Sequence, residues 1–307
     1  MFATIEEKYR IGVIGMHIGI IGGGAIGLLL ASYFRKEHPV TLYVRREEQR
    51  LNLMEQGLTL DSKYGDCNVE VALIQDIHAQ DLYIICVKQH QLQDVMPALY
   101  QVAEGKPIVF LQNGMGHIEK FQSPAHFIYA GIVEHGAIRV SDTNVHHTGS
   151  GRIAIAKVSG DGPSASELAV HLHQLDFRVE AADDWRRLLS EKLIINAVIN
   201  PLTALFQVRN GEILKNSFIR NIARELCKES ARALRLSESS SWERVEQIAM
   251  ATSENISSMY KDIQEGRKTE IDSMTGYLLQ NYNYMPYTKF VDHAIRALEL
   301  KQGDSDA

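Results

Sequence analysis

Short apolar runs separated by polar turns dominate the first part of the chain. Because these runs are continuously hydrophobic, they are typical of strands covered by helices on both faces of a parallel sheet. The pattern predicts an α/β fold with an open, doubly wound sheet. The predicted strands are HIGII (17–21), VTLYV (40–44), LYIICV (82–87), PIVFLQ (107–112), FIYAGI (127–132), GRIAIAKV (151–158) and FRVEAA (177–182).

The pattern changes near residue 183, after which hydrophobic positions recur with the period of a helix. The segment 185–206 is apolar almost all round from Leu188 onward, which predicts a buried helix. We also expect a helix that begins near Thr252 and includes residues 257–259. The sequence TEID at 269–272 is interpreted as a capping box that opens a further helix.

These patterns divide the 307-residue chain into two domains. Residues 16–182 are predicted to form a Rossmann-type dinucleotide-binding domain, and residues 183–302 an all-helical C-terminal domain. Residues 1–15 precede a complete first strand and are interpreted as a nonessential extension.

One register of a glycine-rich stretch fits a dinucleotide-binding turn. Gly22, Gly24 and Gly27 follow the strand at 17–21 with the spacing G-x-G-x-x-G and open the apolar helix at 25–34. The first glycine of this motif makes the tight turn, the second lets the backbone approach pyrophosphate, and the third packs the helix against the strand. The candidate cofactor-binding residues here are Gly22, Gly24, Ala25, Ile26 and Gly27.

The end of the strand at 40–44 favours NADPH over NADH. A carboxylate at this place binds the ribose of NAD, whereas this chain has Arg45-Arg46, and guanidinium groups suit a 2'-phosphate. Two alternatives stay open. The arginines are solvated surface residues beside acidic neighbours, or Glu47 binds the ribose.

Two further predicted strands end in polar residues. Lys88 follows the run at 82–87, and Asn113 and Gly114 follow the run at 107–112. Since ligands of open parallel sheets bind beyond the carboxyl ends of the strands, both places are candidates for the cofactor site. Taken singly, Lys88 is also the first solvated residue after a buried strand, and Asn113-Gly114 is also an ordinary tight turn.

Composition narrows the possible partners. The formal net charge of −6 and the scattered basic residues argue against nucleic acid or an anionic membrane surface as a partner. The start of the chain lacks the apolar core of a secretory signal, and we expect a cytoplasmic protein without a membrane segment. Cys67, Cys86 and Cys227 are odd in number and far apart, so no disulfide is expected.

Histidine pairs suggest a metal site but lack the other ligands. His146-His147 and the pair His171 and His173 have no carboxylate or thiolate partners at ligand spacing. We therefore expect no metal.

A polar stripe interrupts the predicted buried helix at 185–206. At about 100° per residue, Lys192, Asn196, Asn200 and Thr203 fall within one narrow sector. Buried polar groups cost free energy unless partnered, and a ligand is one such partner. The alternative is that Lys192 pairs with a carboxylate and that the asparagines bind loop backbone or carbonyls freed by Pro201.

Lys192 and Glu270 are the candidates for acid–base chemistry. When hydride reduces a ketone, the developing alkoxide needs a proton, which a lysine ammonium delivers. Glu270 is a candidate carboxylate near this lysine, although acids at a helix amino terminus are also favoured by the helix dipole alone.

Four segments together resemble one known family, the ketopantoate reductases (2-dehydropantoate 2-reductases). The resemblance runs from Met16 to about residue 300 and implies a Rossmann domain plus a helical domain. It implies NADPH-dependent reduction of the 2-oxoacid ketopantoate to pantoate, for pantothenate and coenzyme A. The segments are GGGAIG (22–27), LQNGMG (111–116), KLIINAVINPLTALFQVRNGEIL (192–214) and ENISSMYKDIQEGRKTEID (254–272).

The resemblance also implies roles for single residues. Lys192 matches the general acid, and Glu270 the carboxylate that positions the substrate or the lysine. Ser258 matches the group that binds the substrate carboxylate, with Ser257 as a neighbour that has no such role. Asn113 matches the asparagine between nicotinamide and substrate. The remaining matches are Asn196 and Asn200 at the hydroxyl end of the substrate, and Arg45 and Lys88 at the 2'-phosphate.

Three functions remain in competition. The first is the reduction of ketopantoate. The second is a related NADPH-dependent 2-oxoacid or 3-hydroxyacid dehydrogenase with another substrate. The third is a non-catalytic NADPH sensor, which the presence of Lys192, Asn196, Ser258 and Glu270 disfavours. The chain is expected to be a monomer or a homodimer.

Overall fold

A computed structural model describes residues 15–62, 69–121 and 125–303. The chain forms two compact units, named here the sheet unit (Met1–Gln112 and Ile118–Leu188) and the helical unit (Asn113–His117 and Leu189–Ala307). The boundary lies between Leu188 and Leu189 rather than at the predicted 182/183, and a five-residue segment from the first half belongs to the helical unit. The predicted extension at 1–15 lies outside the described residues except for Gly15.

An eight-stranded sheet forms the centre of the sheet unit, with the strand order β11-β10-β7-β6-β5-β1-β2-β4. All neighbouring strands are parallel except β7 and β10, which pair antiparallel. The predicted doubly wound Rossmann-type sheet is therefore confirmed. Its strands are β1 (Ile18–Ile21), β2 (Val40–Val44), β4 (Glu70–Leu73), β5 (Leu82–Ile85), β6 (Pro107–Phe110), β7 (Phe127–Val133), β10 (Ile153–Ser159) and β11 (Val179–Ala181).

A second, three-stranded sheet in the same unit was not predicted. Its order is β3-β9-β8, formed by β3 (Thr59–Leu60), β8 (Gly136–Arg139) and β9 (Asn144–Gly149). These strands are short and only partly buried, so they lack the continuous apolar signal of the main sheet. The helix that follows β1 packs against β8 and β9.

Before Trp185, the described residues form the helices α1 (Ala25–Phe34), α2 (Glu47–Gln56), α3 (Leu92–Val102), α4 (Gly116–Lys120) and α5 (Ala165–Leu172). The helical unit contains α6 (Trp185–Phe206, from Leu189 onward), α7 (Glu212–Lys215), α8 (Ser217–Ala233), α9 (Glu238–Ala251), α10 (Ser258–Gln264), α11 (Thr275–Asn281) and α12 (Pro286–Gly303). Short 3-10 helices occupy Ile74–Asp76, Gln89–Gln91 and Ile271–Ser273.

Each unit has its own hydrophobic core. In the sheet unit, buried residues of β1, β2 and β5 pack with Leu28, Leu29 and Leu30 of α1. In the helical unit, Ile194, Val198 and Leu202 of α6 pack with residues of α8, α9 and α12. The core therefore buries the apolar face of α6, and the polar residues of this helix lie on another side.

Two helix starts differ from the prediction. Thr252 ends α9 instead of starting a helix, and α10 begins at Ser258 with the Ser257 side chain as its cap. The capping box at 269–272 is also wrong. Glu270 precedes a 3-10 helix without a side-chain cap, and the Thr269 hydroxyl accepts a hydrogen bond from the Ile271 N–H at 3.2 Å. Ser-Ser and Thr-x-x-Asp are common in turns, so local sequence alone did not fix the start.

Among the described residues, one helix is long and apolar enough to cross a membrane. It is α6, and 67% of its most apolar 18-residue window is buried inside the protein. Burial in the core of a folded protein explains the apolar composition of α6.

Candidate active site

The glycine turn after β1 has the geometry of a dinucleotide-binding loop. Gly22 has φ +115°, where a side chain would be strained, and its N–H donates to the Tyr43 carbonyl of β2 at 2.9 Å. A Cβ on Gly27 would lie 1.8 Å from the Gly22 carbonyl oxygen, so only glycine lets α1 pack this closely on the turn. By contrast, a Cβ on Gly24 would meet nothing within 4 Å.

The open space at Gly24 lies at the N-cap of α1. Gly24, the N-cap residue, has no side chain with which to cap this helix end, and no acidic residue occupies the first turn. The first N–H groups of a helix have no partner within the helix, and together with the positive end of the helix dipole they suit an anion. Ala25 and Ile26 are the first residues of this helix. The residues present therefore fit the pyrophosphate of a dinucleotide.

Arg45 and Lys88 follow the two strands that flank β1. β2 and β5 both pair parallel with β1, so their carboxyl ends lie on either side of the glycine turn. Arg45 is exposed and forms no ion pair among the described parts of the chain. Lys88 is half-buried, and its N–H donates to Gln91 Oε1 at 3.2 Å. Both residues lie at the edge that sequence analysis predicted.

Sequence analysis missed the residues that hold the glycine turn from outside the motif. Gln49 of α2 is buried and donates to the Gly23 carbonyl at 2.8 Å and to the Asp142 carbonyl at 3.2 Å. Asp142 lies in the turn between β8 and β9, so no spacing rule connects it with Gly23. The one local feature of the sequence that could have indicated this contact is the glutamine near the start of α2.

A chain of hydrogen bonds joins three predicted residues of the helical unit. Asn196 Nδ2 donates to Asn113 Oδ1 at 3.3 Å, and Asn113 Nδ2 donates to Glu270 Oε2 at 2.8 Å. These residues come from α6, from the segment before α4, and from the residue preceding a 3-10 helix. The three side chains are each half-buried, so the chain of bonds is partly open to a ligand.

Close backbone packing fixes this arrangement. A Cβ on Gly114 would lie 2.1 Å from the Ser273 carbonyl oxygen, so the Asn113 turn rests directly on the segment that carries Glu270. The following residues anchor the turn to α6, since the Ser190 hydroxyl contacts Met115 Sδ at 3.5 Å. The asparagine and the carboxylate are therefore held together by the fold.

The polar stripe of α6 has two kinds of members. Thr203 is fully buried, and its hydroxyl donates to the Ile199 carbonyl at 2.8 Å and shares a hydrogen bond of 2.7 Å with Ser257. Asn200 is also buried, but within the described part of the chain its amide reaches only Met274 Sδ, at 3.8 Å, which is a weak acceptor. Thr203 thus has a structural partner, whereas Asn200 has one that a ligand can replace at little cost.

Lys192 and Ser258 complete the set of predicted residues. Lys192 is half-buried and lies four residues before Asn196, on the same side of α6. Ser258 is exposed in the first turn of α10, whereas the buried Ser257 hydroxyl accepts from the Tyr260 N–H at 3.1 Å. The structure brings Asn113, Asn196 and Glu270 into direct contact.

Burial controls two titratable groups near these sites. His117, directly after the Asn113 turn, is almost fully buried, and desolvation lowers its pKa to about 3. Cys86 follows β5, and burial raises the pKa of its thiol far above the usual range, so it is not a nucleophile at neutral pH. Among the described residues, no group of three or more His, Cys, Asp or Glu side chains could hold a metal ion.

A glycine turn that fits a dinucleotide and a helical unit with an amide–carboxylate chain define a nicotinamide-dependent oxidoreductase. The sequence profile of the family described as Ketopantoate reductase PanE/ApbA matches residues 18–160, and that of its C-terminal part matches residues 184–287. The chain belongs to the ketopantoate reductase family.

Individual relatives agree over nearly the whole chain. The 2-dehydropantoate 2-reductase of Bacillus subtilis is 41% identical over 295 residues, which is 92% of this chain and 98% of that protein. The enzyme of the same name from Listeria monocytogenes is 36% identical over 95% of this chain and 98% of its own length. The crystal structure of a probable 2-dehydropantoate 2-reductase from Bacillus subtilis superposes with a TM-score of 0.83 at 41% identity, covering 92% of this chain and all of that one.

Proposed function

We propose that this protein catalyses the NADPH-dependent reduction of ketopantoate to pantoate. The hydrogen-bonded chain Asn196–Asn113–Glu270 supports the proposal, because it joins a carboxylate and two amides to the side of α6 on which Lys192 lies four residues before Asn196. The near full-length relatives named 2-dehydropantoate 2-reductase support the choice of ketopantoate.

The sheet unit would hold the cofactor. The N–H groups at Gly24, Ala25 and Ile26 suit the pyrophosphate, while Arg45 and Lys88 suit the 2'-phosphate. Bound NADPH supplies the hydride that adds to the ketone carbon. The open space at Gly24 and the exposed guanidinium of Arg45 support this assignment.

The helical unit would hold the ketoacid. Ser258, whose hydroxyl is exposed, would donate to the substrate carboxylate, whereas Ser257 is occupied as a helix cap. Asn196 and Asn200 would bind the hydroxyl end of the substrate. The weak bond between Asn200 and Met274 supports this role, since a hydroxyl is a better partner than a thioether.

Lys192 would act as the general acid. As hydride adds to the carbon, the carbonyl electron pair moves to oxygen, which takes a proton from the Lys192 ammonium, and water then reprotonates the amine. Glu270 would keep the substrate or the lysine oriented, and Asn113 would orient Glu270 through their 2.8 Å bond. Every role in this scheme belongs to a residue of the described chain.

The test is the rate of NADPH oxidation with ketopantoate, beside pyruvate, 2-oxoisovalerate and acetolactate and with NADH as the cofactor control. We expect ketopantoate with NADPH to give the highest specificity constant. If another oxoacid turns over and ketopantoate does not, the substrate assignment is wrong. If no oxoacid oxidises NADPH, the protein is not a reductase of this kind.

Oligomeric state is a separate proposal. We propose a monomer or a homodimer, and sedimentation at several protein concentrations measures which one is present. A larger assembly would contradict this proposal.

A further inference from the structure

The turn between β8 and β9, residues 140–143, is linked to the glycine turn by hydrogen bonds. Gln49 bridges the two, because its amide donates both to the Gly23 carbonyl and to the Asp142 carbonyl. Arg139, the last residue of β8, places Nη1 3.4 Å from the same Gly23 carbonyl oxygen. An element that is remote in sequence therefore forms one wall of the cofactor turn.

One carboxylate positions two cations at this wall. The Asp142 side chain is only 16% exposed, hydrogen-bonds Arg46 and lies 3.7 Å from Arg139 Nη1. Asn52 also donates to it, at 3.3 Å. The side chains of Arg46 and Arg139 are each 42% exposed. Arg46 uses both terminal nitrogens, on Asp142 and Glu48, whereas the contacts of Arg139 with Gly23 and Asp142 use Nη1.

This wall carries more positive than negative charge. Arg46 and Arg139 both pair with the half-buried carboxylate of Asp142, and Arg45 is the exposed neighbour of Arg46 in the sequence. The other carboxylate on Arg46, Glu48, has a side chain that is 75% exposed. Exposed carboxylates are screened by water and neutralise a cation weakly. A dianionic group would supply the missing negative charge.

We propose that Arg139 binds the 2'-phosphate of NADPH together with Arg45, and that Asp142 is the positioning residue for Arg139. This inference rests on the proposed function, because it assumes that the glycine turn binds NADPH. It adds a specificity-determining residue that lies outside the nucleotide-binding motif.

The place of Arg139 selects the 2'-phosphate over the pyrophosphate. Pyrophosphate binds at the N-terminus of the helix after the turn, where Gly24 leaves open space. Arg139 lies instead at the Gly23 carbonyl and is linked through Asp142 to Arg46. Arg46 follows the carboxyl end of β2, where proteins of this fold distinguish NADP from NAD.

The test measures dissociation constants for NADPH and NADH by fluorescence titration, without substrate. We expect Arg139→Gln to weaken NADPH binding about tenfold, or about 1.4 kcal/mol, and to leave NADH binding within about twofold. Arg139→Lys keeps the charge but loses the forked donors, so its NADPH affinity should be intermediate. Thermal unfolding of each variant checks that the fold is intact.

Arg152→Gln is the matched control. It removes the same charge from the same unit, and its side chain is 37% exposed, but Arg152 bonds Glu134 and Glu180 rather than the glycine turn. We expect this variant to bind both cofactors as the wild type does. An equal loss in the two arginine variants would show a general effect of charge and overturn the role of Arg139.

The remaining outcomes also test the role of Arg139. Equal weakening of NADPH and NADH by Arg139→Gln would assign the contact to the pyrophosphate, and unchanged binding of both would leave Arg139 a purely structural link. Either result overturns the proposal. A wild-type protein that binds no NADPH overturns the proposed function itself, whereas normal wild-type binding with an unselective Arg139→Gln variant overturns only the role of Arg139.

Discussion

The glycine turn of the sheet unit and the polar stripe of α6 prepare for a ligand in different ways. At the turn, the absence of side chains allows close packing and leaves room for a ligand. A Cβ on Gly27 would lie 1.8 Å from the Gly22 carbonyl oxygen, whereas Gly24 borders open space. On α6, side chains are present and partnered, through Asn113, Glu270 and Ser257. One region is defined by steric exclusion and the other by hydrogen bonds.

This difference decides how each region responds to change. Steric roles belong to single residues, so a substitution at one glycine should have an effect that its neighbour does not share. Hydrogen-bonded roles belong to groups of residues, so substitutions there should couple with one another. Substitutions in the two regions therefore separate the two behaviours.

Acid should affect the polar region through His117, whereas residues 22–27 of the glycine turn contain no titratable side chain. Burial lowers the pKa of His117 from 6.5 to about 3, so below pH 6.5 the unfolded chain binds a proton that the folded chain does not. Stability is therefore lost as the pH falls, by about 1.4 kcal/mol per pH unit, or about 2 kcal/mol between pH 6.5 and 5. Denaturant titration over this pH range measures the slope.

His135 of the sheet unit adds to this slope with the same sign, because burial lowers its pKa to about 4. His117→Gln should remove the part of the pH dependence of the unfolding free energy that comes from His117. His135→Gln should remove the part that comes from His135. A wild-type stability that is constant from pH 6.5 to 5 would contradict the burial of both rings.

The pair Gly27→Ala and Gly24→Ala separates packing from binding at the turn. Gly27→Ala forces a methyl group onto a backbone oxygen and should lower the free energy of unfolding by about 3 kcal/mol or more. Gly24→Ala has room, so it should cost at most about 1 kcal/mol of stability. Its methyl group nevertheless occupies the approach of the pyrophosphate, and NADPH affinity should fall at least about tenfold.

Thermal unfolding and NADPH titration of the two proteins make the measurement. Equal stability of the two variants would show that the close contact at Gly27 is not what fixes the turn.

Thr203→Val should have the smallest effect of the set. It removes the 2.7 Å hydrogen bond to Ser257 inside the helical unit, which should cost about 1 kcal/mol of stability. Ser257→Ala should cost more, about 2 kcal/mol, because it also removes the cap on the Tyr260 N–H of α10. The double variant should cost less than the sum, because the bond between the two hydroxyls is lost only once. Strict additivity of the two effects would show that the hydroxyls do not act together.

The parts of the fold with strong periodic signals were predictable. The bounds of α6, Trp185–Phe206, and of β2, Val40–Val44, are those predicted from the apolar pattern. The register of Gly22, Gly24 and Gly27 also followed from the strand before and the helix after it. These features depend on local sequence, so a single sequence was enough to predict them.

The parts that depend on distant residues were not predictable. No spacing or periodicity connects Asn113 with Glu270, which are 157 positions apart, or Gln49 with Asp142. Only the family resemblance assigned Asn113 and Glu270 to one site. The start of α10 was misplaced because the Ser257 cap competes with a continuous helix from Thr252, and local propensity did not choose between them. The small sheet that carries Arg139 lacks an apolar pattern altogether.

The most direct test of the account is Lys192→Ala, measured for NADPH affinity and for ketopantoate turnover in one preparation. Because Lys192 belongs to the polar stripe and not to the glycine turn, the dissociation constant for NADPH should stay within about twofold, while turnover falls about 10²–10⁴-fold as expected for loss of a general acid. Lys228→Ala, a change at a half-buried lysine of α8 paired with Glu225, serves as the control and should leave both values unchanged. Ordinary turnover by Lys192→Ala would contradict the proposed chemistry.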